Sequence, residues 1–279
     1  MPQRNELRAA HATMKARMTV SKDLLNDIRL LVFDLDGTLI DSMKDLALSV
    51  NATREWIGLP RLPDETIASY VGQGVPTLIR RALANGAAGE VTEEAVQEAT
   101  AFFLDYYRAH MLDHTAVYDG VREALEELKD RKLAVLTNKP VAFSRAILAG
   151  LKLADHFAFV YGGNSFEQVK PDPFGVIKLM SDTGALPRQT VMVGDSDTDV
   201  LTGRNAGVWT CGVTYGLGSH TLERVAPDVL VGDLRELPPL LNGERAAQST
   251  PHPLPLSRKG KNILDTETCL WYDSGYERQ

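Results

Sequence analysis

Short apolar runs that alternate with helix-like segments constrain the fold of this 279-residue chain more than any other feature. The runs lie at 28–34, 132–138, 157–163, 190–195 and 208–213. They are nearly continuous in apolar residues, as in strands whose two faces are both covered, whereas half-exposed strands alternate apolar and polar residues. The amphipathic stretches between them lie at 119–130, 140–150, 173–183 and 197–206. This order predicts an α/β fold with a Rossmann-like, doubly wound, mostly parallel sheet.

A different pattern, at residues 43–113, interrupts this alternation. Apolar residues at helical spacing predict one helix that ends at Gly58, a second around Leu78, and a third that follows Thr92 as N-cap. The apolar face of the third helix includes Tyr106. No strand pattern lies between these helices, so the segment is predicted to form a helical cap.

The predicted organisation therefore has four parts. They are an N-terminal extension at 1–27, an α/β core at 28–42 and 114–242, a helical cap at 43–113 and a tail at 243–279. The tail clusters proline, serine and charged residues without periodicity, which is typical of disorder. The first 27 residues contain no apolar core segment, which argues against a secretory signal.

Composition narrows the class of partner and the compartment. The formal net charge of -7 argues against nucleic acid or an anionic membrane as the main partner, although an acidic protein can still bind a small anion. The only cysteines, Cys211 and Cys269, have neither disulfide-framework nor metal-site spacing. No apolar run approaches the roughly 18 residues of a membrane span. We expect a cytoplasmic protein, monomeric or homodimeric, that does not bind membranes.

Polar side chains recur where the predicted strands end. They are Asp34 and Asp36 after the first strand, Thr137 and Asn138 after the second, Lys170 after the third, and Asp195, Asp197 and Asp199 after the fourth. Ligands of open α/β sheets bind at the carboxyl ends of the strands, so these side chains are predicted to converge. Crowded carboxylates call for a cation, and Mg²⁺ suits carboxylates together with a substrate phosphate. Each piece alone also fits a turn, a solvated loop or a helix start, but their ordered recurrence favours a site for phosphoryl transfer.

The motifs "DLDGT", "LTN", "KPDP" and "GDSDTD" resemble, in this order, the four signature motifs of the haloacid dehalogenase superfamily. The resemblance covers about residues 28–242, and the helical insert is similar to the cap of the first class of that superfamily. The segments "YVGQGVPTLIRRAL", "TNKP", "GVTYGLG" and "APDVLV" are similar to its phosphoglycolate phosphatase branch.

This resemblance implies roles for the acids. Asp34 is the expected nucleophile, which would take the phosphoryl group as an aspartyl-phosphate. Asp36 would protonate the leaving alkoxide and then help to deprotonate the attacking water. Mg²⁺ would be held by Asp34, the backbone carbonyl of Asp36 and Asp195, with Asp199 orienting Lys170 or a metal-bound water.

The resemblance also implies the groups that bind substrate. Thr137 and Asn138 are expected to bind phosphoryl oxygens, with Lys170 opposing the charge of phosphate and nucleophile. The Gly72-Gln73-Gly74 segment is either a cap contact with substrate or an ordinary interhelical turn, and the sequence favours neither. Asp197 is interpreted as a helix-start residue.

Several other candidates have plainer interpretations. Lys139 and Arg80 are candidates for binding a substrate carboxylate, but a solvated surface is favoured for both, and the Arg80-Arg81 pair is read as a solvated helix face. His110 and His114, four residues apart on a helix, lack a third metal ligand, so surface or packing roles are favoured. Cys211 is interpreted as a core residue.

The expected function is Mg²⁺-dependent hydrolysis of a small anionic phosphomonoester, with 2-phosphoglycolate favoured. The alternatives are a sugar phosphate or pyrophosphate as substrate, or a phosphomutase that returns the phosphoryl group, as β-phosphoglucomutase-like members of the superfamily do. Carbon–halogen hydrolysis is disfavoured because dehalogenases lack the acid equivalent to Asp36.

Overall fold

The computed structural model describes residues 27–86 and 89–242. The strands are β1 Leu30–Phe33, β2 Ile40–Asp41, β3 Ala116–Val117, β4 Lys132–Leu136, β5 Phe159–Tyr161, β6 Thr190–Gly194, β7 Trp209–Val213 and β8 Val229–Val231. The α-helices are α1 Met43–Trp56, α2 Asp64–Ala68, α3 Val75–Ala84, α4 Glu93–His110, α5 Val121–Glu127, α6 Val141–Gly150, α7 Phe174–Thr183, α8 Asp197–Asn205 and α9 Leu237–Leu241. The predicted extension up to residue 26 and the predicted tail at 243–279 lie outside the described residues.

Six strands form one parallel sheet in the order β5-β4-β1-β6-β7-β8. The first strand is central, since Phe33 is in register with Val135 of β4 on one side and with Val193 of β6 on the other. The chain therefore winds outward from β1 in both directions, which confirms the predicted doubly wound sheet. The edge strand β8 is an addition to the five predicted strands.

The two faces of the sheet explain the continuous apolar runs. Leu31 and Phe33 of β1 join one buried cluster, and Leu30 and Val32 join a second on the opposite face. All four side chains are fully buried. Because successive strand residues point to opposite faces, a sheet with helices on both sides needs apolar residues at every position.

The segment from Met43 to His110 consists of four helices, and its described residues contain no strand. As predicted, Thr92 caps the long helix α4, its Oγ1 accepting a hydrogen bond of 3.2 Å from the N–H of Ala95. The buried tyrosine of α4 is Tyr107, whereas Tyr106 is only half-buried. The short helix α2 is not among the three predicted helices.

The helical segment leaves and rejoins the sheet at one place. Its two connections pair as the antiparallel ribbon of β2 and β3, with Ile40 opposite Val117 and Asp41 opposite Ala116. The helices therefore stand at the carboxyl end of β1, above the predicted site. A division into a separate cap at 43–113 stays a prediction. None of the helices in the described part of the chain is long and apolar enough to cross a membrane.

Candidate active site

A tight turn after β1 places the first two acids. The carbonyl of Leu35 accepts hydrogen bonds from the N–H groups of Thr38, Leu39 and Ile40. Gly37 has φ +86°, and a Cβ there would lie 2.3 Å from Asp195 Oδ2. Only glycine combines this backbone conformation with so close an approach. The turn therefore brings the β1 loop directly against the acid that follows β6.

Three carboxylates form a cluster at the end of the central strands. One ligand oxygen from each of Asp34, Asp195 and Asp199 lies within 4.8 Å of the other two. The Nζ of Lys170 lies 2.8 Å from Asp34 Oδ1 and 2.6 Å from Asp199 Oδ1. Burial opposes the charge on Lys170, but the two carboxylates outweigh it and raise the pKa of this lysine. The lysine therefore stays protonated between them.

The cluster has more negative charge than its protein partners balance. Burial and neighbouring carboxylates raise the pKa of Asp34, against the lowering effect of Lys170. Burial, Asp199 and Asp34 likewise raise the pKa of Asp195, although the N–H of Gly218 donates to its Oδ2 at 2.7 Å. A hard divalent cation with oxygen ligands would relieve this repulsion. The donor set therefore fits a metal ion such as Mg²⁺.

The start of α8 fixes Asp199. Its Oδ2 accepts hydrogen bonds from the backbone N–H and the hydroxyl of Ser196, at 3.1 and 2.7 Å, while Oδ1 faces Lys170. One carboxylate thus caps the helix and positions the lysine. Asp197 is the first residue of α8, as predicted, and its N–H donates to Thr221 Oγ1 at 2.8 Å.

The amide of Asn138 links three segments. Its Oδ1 accepts from the N–H of Lys170 at 2.9 Å, and its Nδ2 donates to the carbonyls of Lys170 and Gly72, each at 3.0 Å. The neighbouring Thr137 Oγ1 accepts from the N–H of Lys139 at 3.2 Å. The Asn138 side chain therefore holds the backbone of Lys170 and contacts the helical segment.

The Gly72-Gln73-Gly74 segment connects α2 to α3 and faces the site. Gly72 and Gly74 have φ +108° and +83°, and a Cβ on Gly74 would lie 3.7 Å from the Asn138 carbonyl oxygen. Gln73 Oε1 accepts a hydrogen bond from Arg81 at 2.7 Å. The turn thus reaches the carboxyl end of β4 from above.

A cavity of about 740 Å³ opens over the acids. The sheet contributes Asp34, Asp36 and Asp195 to its lining, and the helical segment contributes Gly72, Gln73 and Arg81. The three acids therefore border the same space as Gly72 and Gln73, two residues of the segment for which the sequence left a cap contact or an ordinary turn open.

The interpretation of Lys139 as solvated surface is wrong. Only 8% of the residue is exposed, and its Nζ lies 2.9 and 3.1 Å from the two carboxylate oxygens of Asp36. The sequence signal for this buried contact with Asp36 is the position of Lys139 directly after Asn138, at the carboxyl end of β4, where the other polar site residues gather. The solvated-face interpretation holds for Arg80, which pairs with Glu93 at the surface. The neighbouring Arg81 lines the cavity.

The remaining candidates have structural roles. His110 Nδ1 lies 2.7 Å from Asp113 Oδ2 and His114 Nδ1 lies 2.8 Å from Asp45 Oδ1, so each histidine contacts its own carboxylate. Cys211 is buried in β7. The half-exposed histidines agree with the surface or packing roles expected for them, and the core position of Cys211 is confirmed.

Comparison with known proteins agrees with this geometry. The sequence model of the family described as haloacid dehalogenase-like hydrolase matches residues 31–213, about two thirds of the chain. The chain belongs to the haloacid dehalogenase-like hydrolase family.

Relatives in this family point to one kind of hydrolase. Phosphoglycolate phosphatase of Pseudomonas putida is 39% identical over 215 residues, covering 76% of this chain and 79% of that protein. The phosphoglycolate phosphatase of Haemophilus influenzae strain Rd is also 39% identical, covering 75% and 96%. The crystal structure of a predicted phosphoglycolate phosphatase from Haemophilus somnus has a TM-score of 0.72 at 32% identity, covering 76% and 96%. The chain is thus a phosphatase-type member of the haloacid dehalogenase-like family, as its motifs predict.

Proposed function

We propose that this phosphatase hydrolyses 2-phosphoglycolate to glycolate and phosphate, with Mg²⁺ as cofactor and Asp34 as nucleophile. The observation that carries the proposal is the placement of Asp34, a buried carboxylate that opens on the cavity and is ion-paired to Lys170 at 2.8 Å. The two phosphoglycolate phosphatases above support the choice of substrate.

The first half-reaction uses Asp34 and Asp36. An oxygen of Asp34 attacks the phosphorus, the ester P–O bond breaks, and the departing alkoxide takes a proton from Asp36. Lys170, shared between Asp34 and Asp199, opposes the negative charge that gathers on the phosphoryl oxygens. The Thr137 hydroxyl and the backbone of Asn138 line a small cavity together with Lys170 and are suited to bind those oxygens. The side-chain amide of Asn138 instead contacts the backbone of Lys170 and Gly72.

The second half-reaction reverses the proton transfer. Asp36, now a carboxylate, removes a proton from water, the water oxygen attacks the phosphorus, and the bond to Asp34 breaks to release phosphate. Asp34, Asp195 and the backbone carbonyl of Asp36 would hold Mg²⁺, with Asp199 next to them. When bound, the ion supplies charge neutralisation and orientation for the phosphoryl group.

The cavity accommodates a second negative charge on the substrate. Arg81 of α3 lines it from the helical side, and His220 and Arg224 line it from the loop after β7. The carboxylate of a substrate such as 2-phosphoglycolate would meet a cation in the same cavity as the acids, whereas a neutral sugar would not use that cation. This charge pattern favours a phosphoester that carries a further negative charge over the phosphate ester of a neutral sugar.

The test is a phosphate-release panel with purified protein and Mg²⁺. It compares kcat/KM for 2-phosphoglycolate, glucose 6-phosphate, a nucleoside monophosphate and pyrophosphate, and it follows isomer formation from β-glucose 1-phosphate. We expect the highest kcat/KM for 2-phosphoglycolate and no isomer. A higher value for another phosphate would reassign the substrate, and isomer formation in excess of phosphate would replace the hydrolase by a mutase.

A further inference from the structure

The buried lysine next to Asp36 has no part in the mechanism above. Lys139 follows Asn138 at the end of β4, and 6% of its side chain is exposed. Its Nζ lies 2.9 Å from Asp36 Oδ1 and 3.1 Å from Oδ2, so the ammonium spans both oxygens. A buried ammonium beside a carboxylate fixes its direction, since moving away leaves an unpaired charge.

A second group restrains the same carboxylate. The hydroxyl of Ser42, just before α1, donates a hydrogen bond of 2.5 Å to Asp36 Oδ1. Ser42 is fully buried. Oδ1 therefore accepts from two donors, Ser42 just before α1 and Lys139 just after β4. This leaves Oδ2 as the less restrained oxygen of Asp36 for proton transfer.

The helical segment holds the lysine in turn. The ring of Tyr107, in α4, lies under Lys139 with its centroid 4.7 Å from Nζ, within cation–π range. Tyr107 is 2% exposed and packs against Phe103 and Phe143 at ring-centroid distances of 5.6 Å each. The ring is thus fixed in the apolar core, and it restricts the position of the Lys139 ammonium.

We propose that Lys139 is a positioning residue for Asp36, holding the proton-transferring carboxylate over the cavity, and that Tyr107 holds Lys139. This inference rests on the proposed function, because it assigns Asp36 the proton transfers. The ammonium of Lys139 lies between the Asp36 carboxylate and the face of the Tyr107 ring, and both stabilise its positive charge. Through Tyr107, the helical segment contributes to the placement of a catalytic group on the sheet.

The experiment is a double-mutant cycle between Lys139 and Asp36. The variants are Lys139→Met, which removes the ammonium but keeps the methylene chain, Asp36→Asn, and the two combined. Steady-state phosphate release is measured with 2-phosphoglycolate and with p-nitrophenyl phosphate, whose leaving group departs without a proton. Lys132→Met, at the exposed start of the same strand, is the matched control, and thermal denaturation reports folding of every variant.

A positioning role predicts three results. Lys139→Met should lower kcat for 2-phosphoglycolate by about 10²-fold, as expected when general acid catalysis is impaired, with KM changed by less than about threefold. With p-nitrophenyl phosphate, the pre-steady-state burst of p-nitrophenolate should persist. In the Asp36→Asn background, adding Lys139→Met should lower kcat by less than about a further threefold, because the two residues act as one unit.

Three further variants keep the proposal falsifiable if Lys139→Met does not fold. Lys139→Arg retains a buried cation and should have at least about tenfold higher kcat than Lys139→Gln. Tyr107→Leu should lower kcat in the same direction as Lys139→Met, by about threefold to tenfold, and should add little to Lys139→Met. Equal activity of the Arg and Gln variants would overturn the proposal.

The outcomes separate this inference from the proposed function. An additive effect of Lys139→Met in the Asp36→Asn background, or loss of the burst, would overturn the positioning role while leaving the phosphatase assignment intact. If the unmodified protein releases phosphate from no phosphomonoester, or if Asp36→Asn retains full activity, the proposed function itself fails.

Discussion

The ammonium of Lys170 lies 2.8 Å from Asp34 Oδ1, and only 3% of the lysine side chain is exposed. The same ammonium lies 2.6 Å from Asp199. A cation shared by two buried carboxylates leaves each partly unbalanced, which fits acids that also serve a metal ion and a phosphoryl group. The ion pair of Asp34 and Lys170 joins the end of β1 to the loop after β5. These two strands lie on opposite sides of β4 in the sheet.

The nucleophile assignment predicts the effect of Asp34→Asn. The substitution keeps the shape of the side chain but removes the attacking carboxylate, so Mg²⁺-dependent phosphate release should fall by at least about 10³-fold. Asp197→Asn is the matched control, because Asp197 borders the same cavity at the start of α8 and should retain activity within about threefold. Substantial Mg²⁺-dependent turnover by purified Asp34→Asn would remove Asp34 from the nucleophile role.

The acidic cluster predicts a metal site that depends on Asp195. Its carboxylate belongs to the three-acid group and is held by Thr38 Oγ1 at 3.2 Å. Asp195→Asn should weaken Mg²⁺ binding by at least about tenfold in calorimetric titration, because it removes a charged ligand. Asp119→Asn, at an exposed ion pair with Arg235, should leave the affinity unchanged. Unaltered Mg²⁺ affinity in Asp195→Asn would place the metal elsewhere.

Much of the sheet is predictable because its physics is local. The four residues of Leu30–Phe33 are all apolar, and a strand covered on both faces requires this. The edge strand Val229–Val231 is an apolar run of three residues between Asp228 and Gly232, which does not distinguish a strand from a loop. The equally short strand Phe159–Tyr161 is predictable because it lies within the longer apolar run at 157–161. The short helix Asp64–Ala68 is missed for a similar reason, since five residues give little periodicity.

The site is predictable where motif residues share one sheet edge and is not where a role depends on a distant partner. Asp34 and Asp195 follow adjacent strands, so their convergence follows from the topology. The role of Lys139 arises from Asp36, 103 positions away, and from Tyr107 of the helical segment. Sequence spacing carries no information about such contacts, and a lone lysine most often lies at the surface.

The cavity lining predicts different roles for two adjacent arginines. Arg81 faces the cavity and bonds Gln73, whereas Arg80 pairs with Glu93 at the surface. Arg81→Leu should raise KM for 2-phosphoglycolate by about tenfold, because one ionic contact with the substrate is lost. The KM for p-nitrophenyl phosphate, which has no carboxylate, should change by less than about twofold. Arg80→Leu is the neighbouring control and should leave KM for both substrates unchanged. Equal effects of Arg81→Leu on both substrates would argue against recognition of the carboxylate.

A buried aspartate at the base of the helical segment predicts a stability effect. Asp45 in α1 is fully buried. Its carboxylate accepts hydrogen bonds from the N–H groups of His114 and Thr115, and from the Thr115 hydroxyl at 2.8 Å. These bonds fasten the start of the first helix to the chain that returns to the sheet. Asp45→Asn replaces one acceptor oxygen by a donor, so it should lower the free energy of unfolding by roughly 2–3 kcal/mol.

The same carboxylate gives a pH dependence of known sign. Burial raises the pKa of Asp45, but the hydrogen bonds from His114 and Thr115 outweigh it, and the pKa lies below the ordinary value of 3.8. Between the lowered pKa of the folded protein and the ordinary value of 3.8, the unfolded chain binds more protons at Asp45 than the folded protein does. The free energy of unfolding therefore falls as the pH drops through this interval. Urea unfolding at pH 7 and at about pH 3 measures the free energy of unfolding of the unmodified protein and of Asp45→Asn. The difference between the two free energies should be smaller at the lower pH. Asp113→Asn, at the exposed contact with His110, should lose little stability at either pH, and a gap that widens on acidification would contradict the ionised state assigned to Asp45.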